Sequence, residues 1–429
     1  MAVAFPSILL MLLFALNVPV AFAIAISALS FFFLADGLPL EIFFQKMVAA
    51  TESYPLLAVP FFVLAGSLMN AAGITRRLLA LADALVGHLT GALAQACTVL
   101  ATLLGGLTAS SSADAAMLSK LFGPEMVRRG YSAAFAAAIT SSAAIITALI
   151  PPGIGLIIYG YLADVSVGRL FLAGVVPGLL LAGALFATTW WIAKRRGYAP
   201  VRPHFAGMGE VARTARDAIW ALLIPVFIIV GLRYGIFTTT EAGAITVVIT
   251  ILIGALVYRE LSWDKVPLVL RETVLDTSSV MLLICAASAF GFYLAWERLP
   301  PQMASWMVGL TRDPQMLLLL VNVLLIVLGT AVEGTAALII LTPIFVPVIL
   351  KFGIDPVHFG IVLVTNLTIA GITPPVGQMM FIACAVLRVP MEVYTVEILP
   401  FLGALCAVLL LITFVPQVSL FLPDLIMGR

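Results

Sequence analysis

Long apolar runs separated by short polar ones fill nearly the whole chain, and most reach the roughly 20 apolar residues that a membrane-crossing helix needs. The pattern predicts spans at 7–35, 54–74, 131–165, 168–193, 217–236, 240–258, 274–297, 356–388 and 395–423, the first bent near Val18-Pro19. Two further apolar segments, 85–126 and 313–350, are interrupted midway by small polar residues. The interruptions read Gly105-Gly106-Leu107-Thr108-Ala109-Ser110-Ser111-Ser112-Ala113-Asp114 and Gly329-Thr330-Ala331-Val332-Glu333-Gly334-Thr335. A re-entrant helical hairpin, with its tip at bilayer depth, fits each segment; two complete spans joined by a short loop fit as well. Backbone broken inside the hydrocarbon is tolerated only where protein or a watery cavity covers it.

The surroundings of the two interruptions repeat. Pro124, Gly130 and Pro151 have counterparts in Pro347, Gly353 and Pro374, each 223 residues on (347 − 124, 353 − 130, 374 − 151). Each interrupted segment is followed by a Gly-x-(Ser/Asp) turn, Gly130-Tyr131-Ser132 or Gly353-Ile354-Asp355. A Pro-Pro pair inside an apolar helix comes next, Pro151-Pro152 or Pro374-Pro375. A duplicated pair of broken helices is the pattern of a secondary transporter's binding site. Each half also carries an amphipathic segment. Leu40, Phe43, Phe44, Met47 and Val48 share one face of the first; in the second, Trp263, Val266 and Leu270 oppose Asp264, Lys265 and Arg271. Such segments predict helices lying in the interface plane, either bracing a static frame or serving as plain connectors.

Composition narrows the class. A chain of 429 residues that is 63% hydrophobic and 10% charged, with mean hydropathy +1.18, is an all-α polytopic membrane protein and not a soluble domain. The net charge of +1 says nothing about soluble partners, and no nucleic-acid partner is expected. The first basic residue is Lys46, so the opening segment lacks the positive start of a cleaved signal peptide and reads as a mature helix. Cys97, Cys285, Cys384 and Cys406 stand singly in apolar runs and read as small buried hydrophobes. His88, His204 and His358 form no cluster, so no transition-metal site is expected.

With the amino terminus in the cytoplasm, Arg76-Arg77, Arg128-Arg129, Lys194-Arg195-Arg196, Arg202, Arg213 and Arg216 all fall inside, as the positive-inside rule requires. On that count the two repeated units face opposite ways. Residues 1–165 form a first inverted repeat, 166–239 connecting spans and a cytoplasmic linker, 240–390 a second inverted repeat, and 391–429 a C-terminal span. No nucleotide-binding loop is present in the sequence, so ATP is not the direct energy source.

A helix that ends in mid-membrane leaves unpaired N–H groups at its start and unpaired carbonyls at its end, which attract anions and cations respectively. Ser110, Ser111 and Ser112 stand at the first tip; Thr140, Ser141, Ser142 and Thr147 precede the break at Pro151-Pro152-Gly153. Gly334 and Thr335 stand at the second tip; Asn366, Thr368, Gly371 and Thr373 precede Pro374-Pro375-Val376-Gly377. Hydroxyls are hard oxygen ligands, glycine admits close backbone approach, and proline frees a carbonyl one turn back. For any single Ser or Thr, helix–helix glue is the plain alternative. Asp114 and Glu333 are the ionisable residues nearest the tips, as cation ligands or proton carriers, and for Asp114 a helix cap fits equally well. Lys120 snorkels or pairs locally, and no arginine lies near either tip.

The segments Val59-Pro60-Phe61-Phe62-Val63-Leu64-Ala65-Gly66, Ala113-Asp114-Ala115-Ala116, Ile150-Pro151-Pro152-Gly153, Gly235-Ile236-Phe237-Thr238-Thr239-Thr240-Glu241-Ala242, Asp355-Pro356-Val357-His358-Phe359-Gly360 and Thr373-Pro374-Pro375-Val376-Gly377 carry a family resemblance. Through them the chain resembles, over essentially its whole length, the large membrane subunit of tripartite ATP-independent periplasmic (TRAP) transporters. Thr239, commonly proline in the family, and Glu333, where an aspartate is expected, depart from the pattern. The resemblance implies a bacterial inner-membrane importer of small carboxylates, such as C4-dicarboxylates or sialic acid, with Na+ as coupling ion and no covalent cofactor. It implies two partners, a small four-helix membrane subunit and a periplasmic substrate-binding protein, and an elevator motion of a transport domain against a scaffold, as in the wider ion transporter superfamily. Residues and resemblance together assign Ser110, Ser111, Ser112, Asp114, Ser142, Thr147, Pro151 and Pro152 to a first sodium and substrate site. Glu333, Gly334, Thr335, Asn366, Thr373, Pro374, Pro375 and Gly377 make the second. A stand-alone sodium/dicarboxylate carrier is the alternative, and protons acting through Asp114 are the alternative to sodium. An intramembrane enzyme is not expected, because no second carboxylate accompanies Asp114 or Glu333 at helical spacing. A non-transporting membrane scaffold would leave the repeated breaks unexplained.

Overall fold

The computed structural model describes residues 5–16, 18–35, 38–105 and 111–428. All its regular elements are helices. In the first half these are α1 (Phe5–Ala15), α2 (Val20–Leu34), α3 (Glu41–Thr51), α4 (Ala58–Ala71), α5 (Ile74–Val86), α6 (Ala92–Leu104), α7 (Ser111–Arg128), α8 (Ala133–Leu149), α9 (Ile154–Leu162) and α10 (Val167–Arg196). The second half has α11 (Met208–Arg233), α12 (Thr239–Leu252), α13 (Val266–Trp296), α14 (Leu299–Leu310), α15 (Pro314–Ala331), α16 (Gly334–Lys351), α17 (Pro356–Ala370), α18 (Gln378–Leu387), α19 (Met391–Phe414) and α20 (Gln417–Met427). Among the described residues seven helices are long and apolar enough to cross a membrane, or eight if α8 and α9, bent by 46°, are one span.

Proline decides where several of the sequence's long runs divide. The 7–35 run is two helices, with Pro19 in extended conformation just before α2. The 131–165 run divides at Pro151-Pro152 and the 356–388 run at Pro374-Pro375, both peptide bonds being cis. The 395–423 run divides at Val415-Pro416. Each division follows from the missing N–H of proline and its restriction of the preceding residue. The second amphipathic segment is a correction: it is no separate interfacial helix, because the turn Trp263–Lys265 runs directly into α13. In α3 the expected apolar face is shared out, Phe43 packing on Phe32 at 5.7 Å while Phe44 and Val48 are exposed. Two helices escape the apolar-run criterion. One is α5, 13 residues long with Arg76, Arg77 and Asp83 among them, and the other is α14, 12 residues long and opening Leu299-Pro300-Pro301.

Helix boundaries recur at nearly constant offsets. The starts of α7 and α16 lie 223 residues apart (334 − 111), as do their ends (351 − 128) and the starts of α8 and α17 (356 − 133). The pair α5 and α14 starts 225 apart (299 − 74). The same 225 relates the start of α3 to that of α13 (266 − 41) and the end of α4 to the end of α13 (296 − 71). One 31-residue stretch is thus two helices in the first half and one in the second. Pro55 interrupts the first copy, whereas its counterpart at the same offset is Val280, which lets the helix run on.

Two apolar clusters divide the interior. One joins α1, α2, α3 and the end of α13 through Phe31, Phe32, Phe43, Phe290 and Tyr293; the other takes in most of the remaining helices. Within the latter, α9 is pinned to α17: the Tyr159 hydroxyl donates to the Pro356 carbonyl at 2.6 Å, and a Cβ at Gly360 would run into the Tyr159 ring. Tyr159→Phe is expected to destabilise the protein by about 1 kcal/mol, the scale of a hydrogen bond between membrane helices, read as a lower thermal midpoint in detergent.

Candidate functional site

Both interruptions and both Pro-Pro breaks open onto one cavity of about 500 Å³. Four helices have their first residues there. Ser111 and Ser112 start α7, Ile154 and Gly155 start α9, Gly334 and Thr335 start α16, and Gln378 and Met379 start α18. First-turn N–H groups have no partner one turn back in their own helix and favour negative charge where they stay uncapped; the Ala336 N–H is taken by Glu333 at 2.8 Å and the Leu156 N–H by the Gly153 carbonyl at 3.1 Å. The Met379 N–H is already taken by the Gly371 carbonyl at 2.8 Å. Two helices end there: Thr147 and Ala148 of α8, and Thr368 and Gly371 at the close of α17, bring carbonyl ends to the same space. The lining thus combines helix starts, which suit an anion, with helix ends, which suit a cation. The rest of the lining includes Pro19 and Phe22 at the start of α2, Val63 of α4, and Asp276, Ser279 and Leu283 of α13.

Of the residues singled out in the sequence, Ser111, Ser112, Thr147, Gly153, Glu333, Gly334, Thr335, Thr368 and Gly371 line the cavity. Ser110 lies outside the described residues. Asp114 is fully buried in the first turn of α7 and is not on the cavity wall, nor is the fully buried Ser142. Thr140 meets Ser119 at 2.9 Å and Ser141 meets the Tyr394 hydroxyl at 2.9 Å, tying α8 to α7 and α19. Asn366 also faces protein: its amide donates to the Asn322 carbonyl oxygens at 3.0 and 2.9 Å, and Asn322 donates to Thr413 at 2.8 Å. Thr373 donates to the Ile369 carbonyl at 2.8 Å, so its hydroxyl covers a carbonyl of the last turn before the break. Pro151 and Pro152 are buried and Gly377 is buried, while Pro374 is half-buried and Pro375 exposed.

Glu333 has a definite local task. It precedes α16 in extended conformation, and its carboxylate accepts from the Ala336 N–H at 2.8 Å, closing the helix start. Sequence reasoning passed over Asp276 and Ser279 because both were absorbed into an apolar run. The signal was there: an ionisable residue inside a spanning segment is a functional candidate by default. Among the described residues no group of His, Cys, Asp and Glu is placed to hold a metal ion, and the four cysteines are free thiols.

Comparisons with known proteins follow the same lines. The family model described as "Tripartite ATP-independent periplasmic transporter, DctM component" matches residues 7–418. The chain is 40% identical over 417 residues to the sialic acid TRAP transporter large permease protein SiaM of Vibrio cholerae, covering 97% of each. It is 39% identical over 406 residues to the isethionate TRAP transporter permease protein DctMQ of Oleidesulfovibrio alaskensis, covering 94% of this chain and 64% of that one, so it spans less than two thirds of that relative's length. The YdaH transporter of Alcanivorax borkumensis shares the fold at 17% identity, with a TM-score of 0.66 over 89% of this chain and 88% of that one.

Proposed function

Because the chain belongs to the DctM component family of tripartite ATP-independent periplasmic transporters, we propose that it is the large subunit of a sodium-coupled, binding-protein-dependent importer of small organic acids. The family consists of transport proteins and not enzymes, and this member is a multi-pass protein of the bacterial inner membrane. One observation carries the reading: two tips and two broken helices, far apart in sequence, share a single cavity. Such a cavity, with helix starts for the acid group and helix ends with hydroxyls for sodium, is what co-binding of an anion and its coupling ion requires.

The mechanism we propose is an elevator. The recurring offsets support two inverted repeats, and the 224-residue interval between the starts of α10 and α19 (391 − 167) supports carrying each repeat beyond the 1–165 and 240–390 limits. The two hairpins with α8, α9, α17 and α18 form the moving body, and α2, α4 and α13 form the frame it slides against, with the cavity at their seam. In this reading Ser111, Ser112 and Thr147 with the carbonyl end of α8 hold one sodium ion, and Glu333, Gly334 and Thr335 with the end of α17 hold the other. Asp114, Ser142, Pro151, Pro152, Asn366, Thr373, Pro374, Pro375 and Gly377 support these sites from behind or shape the breaks. A small membrane subunit steadies the frame and a periplasmic binding protein delivers the solute.

Proteoliposomes holding the chain with its small subunit and binding protein test this. Replacing sodium by potassium is expected to lower uptake at least about tenfold, the loss of a coupling free energy of the usual 1–3 kcal/mol. Uptake indifferent to that exchange but abolished by collapsing the pH gradient would replace sodium with protons. Uptake of free solute without the binding protein would favour a stand-alone carrier.

A further inference from the structure

The cavity has a donor pole and an acceptor pole. Its donor pole is the helix starts at Ile154 and Gln378; those at Ser111 and Gly334, the latter beside Glu333, carry the sodium sites of the transport reading. Side chains elsewhere on the wall have spent their protons on their own helices. Thr147 donates to the Ala144 carbonyl, Ser279 to Leu275 and Thr368 to Val364 and Thr365, each at 2.8–2.9 Å. What these hydroxyls present to the cavity is lone pairs. Asp276, exposed on α13 with Ser279 three residues on along the same helical face, adds a carboxylate that only accepts when ionised. No basic side chain among the described residues lines the cavity or pairs with Asp276.

From this polarity we infer that the cargo is an organic acid with a single carboxylate and with hydroxyl or ammonium donors away from it, and that Asp276 is the residue that selects it. The inference rests on the transport reading and narrows its substrate class. The acid group sits at the helix starts, and the donors meet Asp276 and Ser279. A dicarboxylate would turn its second carboxylate toward Asp276 with no guanidinium or ammonium to separate them, and like charges set together discriminate strongly against a ligand.

The test is isothermal titration of the purified complex with its small subunit, in nanodiscs and saturating sodium. The probes are gluconate for hydroxyl donors, γ-aminobutyrate for an ammonium, and succinate as the dicarboxylate. Gluconate or γ-aminobutyrate is expected to bind at least about tenfold more tightly than succinate, the minimum from one unfavourable charge contact. Asp276→Asn is expected to weaken the favoured probe about tenfold and tighten succinate, erasing the preference. Succinate binding as tightly as the other two overturns the inference, as does an Asp276→Asn protein that weakens all three alike through a lower sodium affinity. Should the Asn variant not fold, the wild-type order of the three probes decides alone. Failure of all three to bind overturns the inference and leaves the transport reading to sodium-dependent uptake in the proteoliposomes, which separates the two failures.

Discussion

Gly153→Ala and Gly377→Ala each bring uptake to background, a loss of about 100-fold or more, whereas Gly155→Ala, two residues from the first, leaves the helix ends in place and loses far less. The difference lies in what a methyl group would meet. At Gly153 it falls onto the backbone carbonyl of Ala148, and at Gly377 it comes 2.6 Å from the Gly371 carbonyl oxygen and 2.9 Å from its carbon. Both obstacles are main chain, so no rotamer change relieves them; the helix end must move. At Gly155 the nearest atom is a Val364 methyl at 3.7 Å, an ordinary contact. Neither essential glycine has a positive φ, so space and not backbone freedom makes them irreplaceable. Overpacking of this kind costs about 1–3 kcal/mol in stability. A displacement near 1 Å at a site that must hold its ligands in register costs about 100-fold in rate. Sodium-driven uptake in proteoliposomes, beside size-exclusion profiles of each purified variant, checks both halves. Full transport by either Ala variant would mean that the carbonyl ends of α8 and α17 do not need their present positions.

The second large effect is at Glu333, where two roles can be pulled apart. Its carboxylate caps α16, and the residue lines the cavity. Glu333→Gln keeps an oxygen for the Ala336 N–H and removes the charge. Thermal unfolding should therefore stay close to wild type, while the sodium concentration for half-maximal uptake rises about tenfold, equivalent to about 1.4 kcal/mol. Glu333→Ala loses the cap as well, at about 1 kcal/mol of stability, and transports least. Glu333→Asp, which retains both the charge and a capping oxygen, restores most of the activity. An unchanged sodium dependence in the Gln variant would leave Glu333 with the cap alone.

How far the chain could be read from its residues differs from part to part. Proline announced the breaks: Pro151-Pro152 and Pro374-Pro375 stand inside apolar runs where nothing else explains them, and the helices do end there. The serine-rich and glycine-rich interruptions pointed to the cavity for a similar reason, since α7 and α16 begin at Ser111 and Gly334. Residues whose partners lie far along the chain were less legible. Asn366 and Ser141 looked no different from cavity-facing groups until Asn322 and Tyr394 were seen beside them. The span limits misled wherever the signal was the absence of something. No proline follows Thr277-Ser278-Ser279, so the second amphipathic segment is part of α13, and Asp276 goes with it to the cavity wall. Short amphipathic α5 and proline-led α14 became recognisable as a pair only from their matching 225-residue offset.

The fusion of α13 has a mechanical outcome. A continuous helix of 31 residues is about 46 Å long, against hydrocarbon about 30 Å thick. Asp276 lies ten residues from Val266, about 15 Å along that rod. Its depth is therefore set by wherever the polar start of the rod rests on the lipid headgroups, and the first half, hinged at Pro55, has no equivalent ruler. In the transport reading, acyl-chain length then becomes a variable of the proposed site: thicker or thinner bilayers are expected to tilt the rod and to raise or lower its carboxylate relative to the helix starts of the cavity.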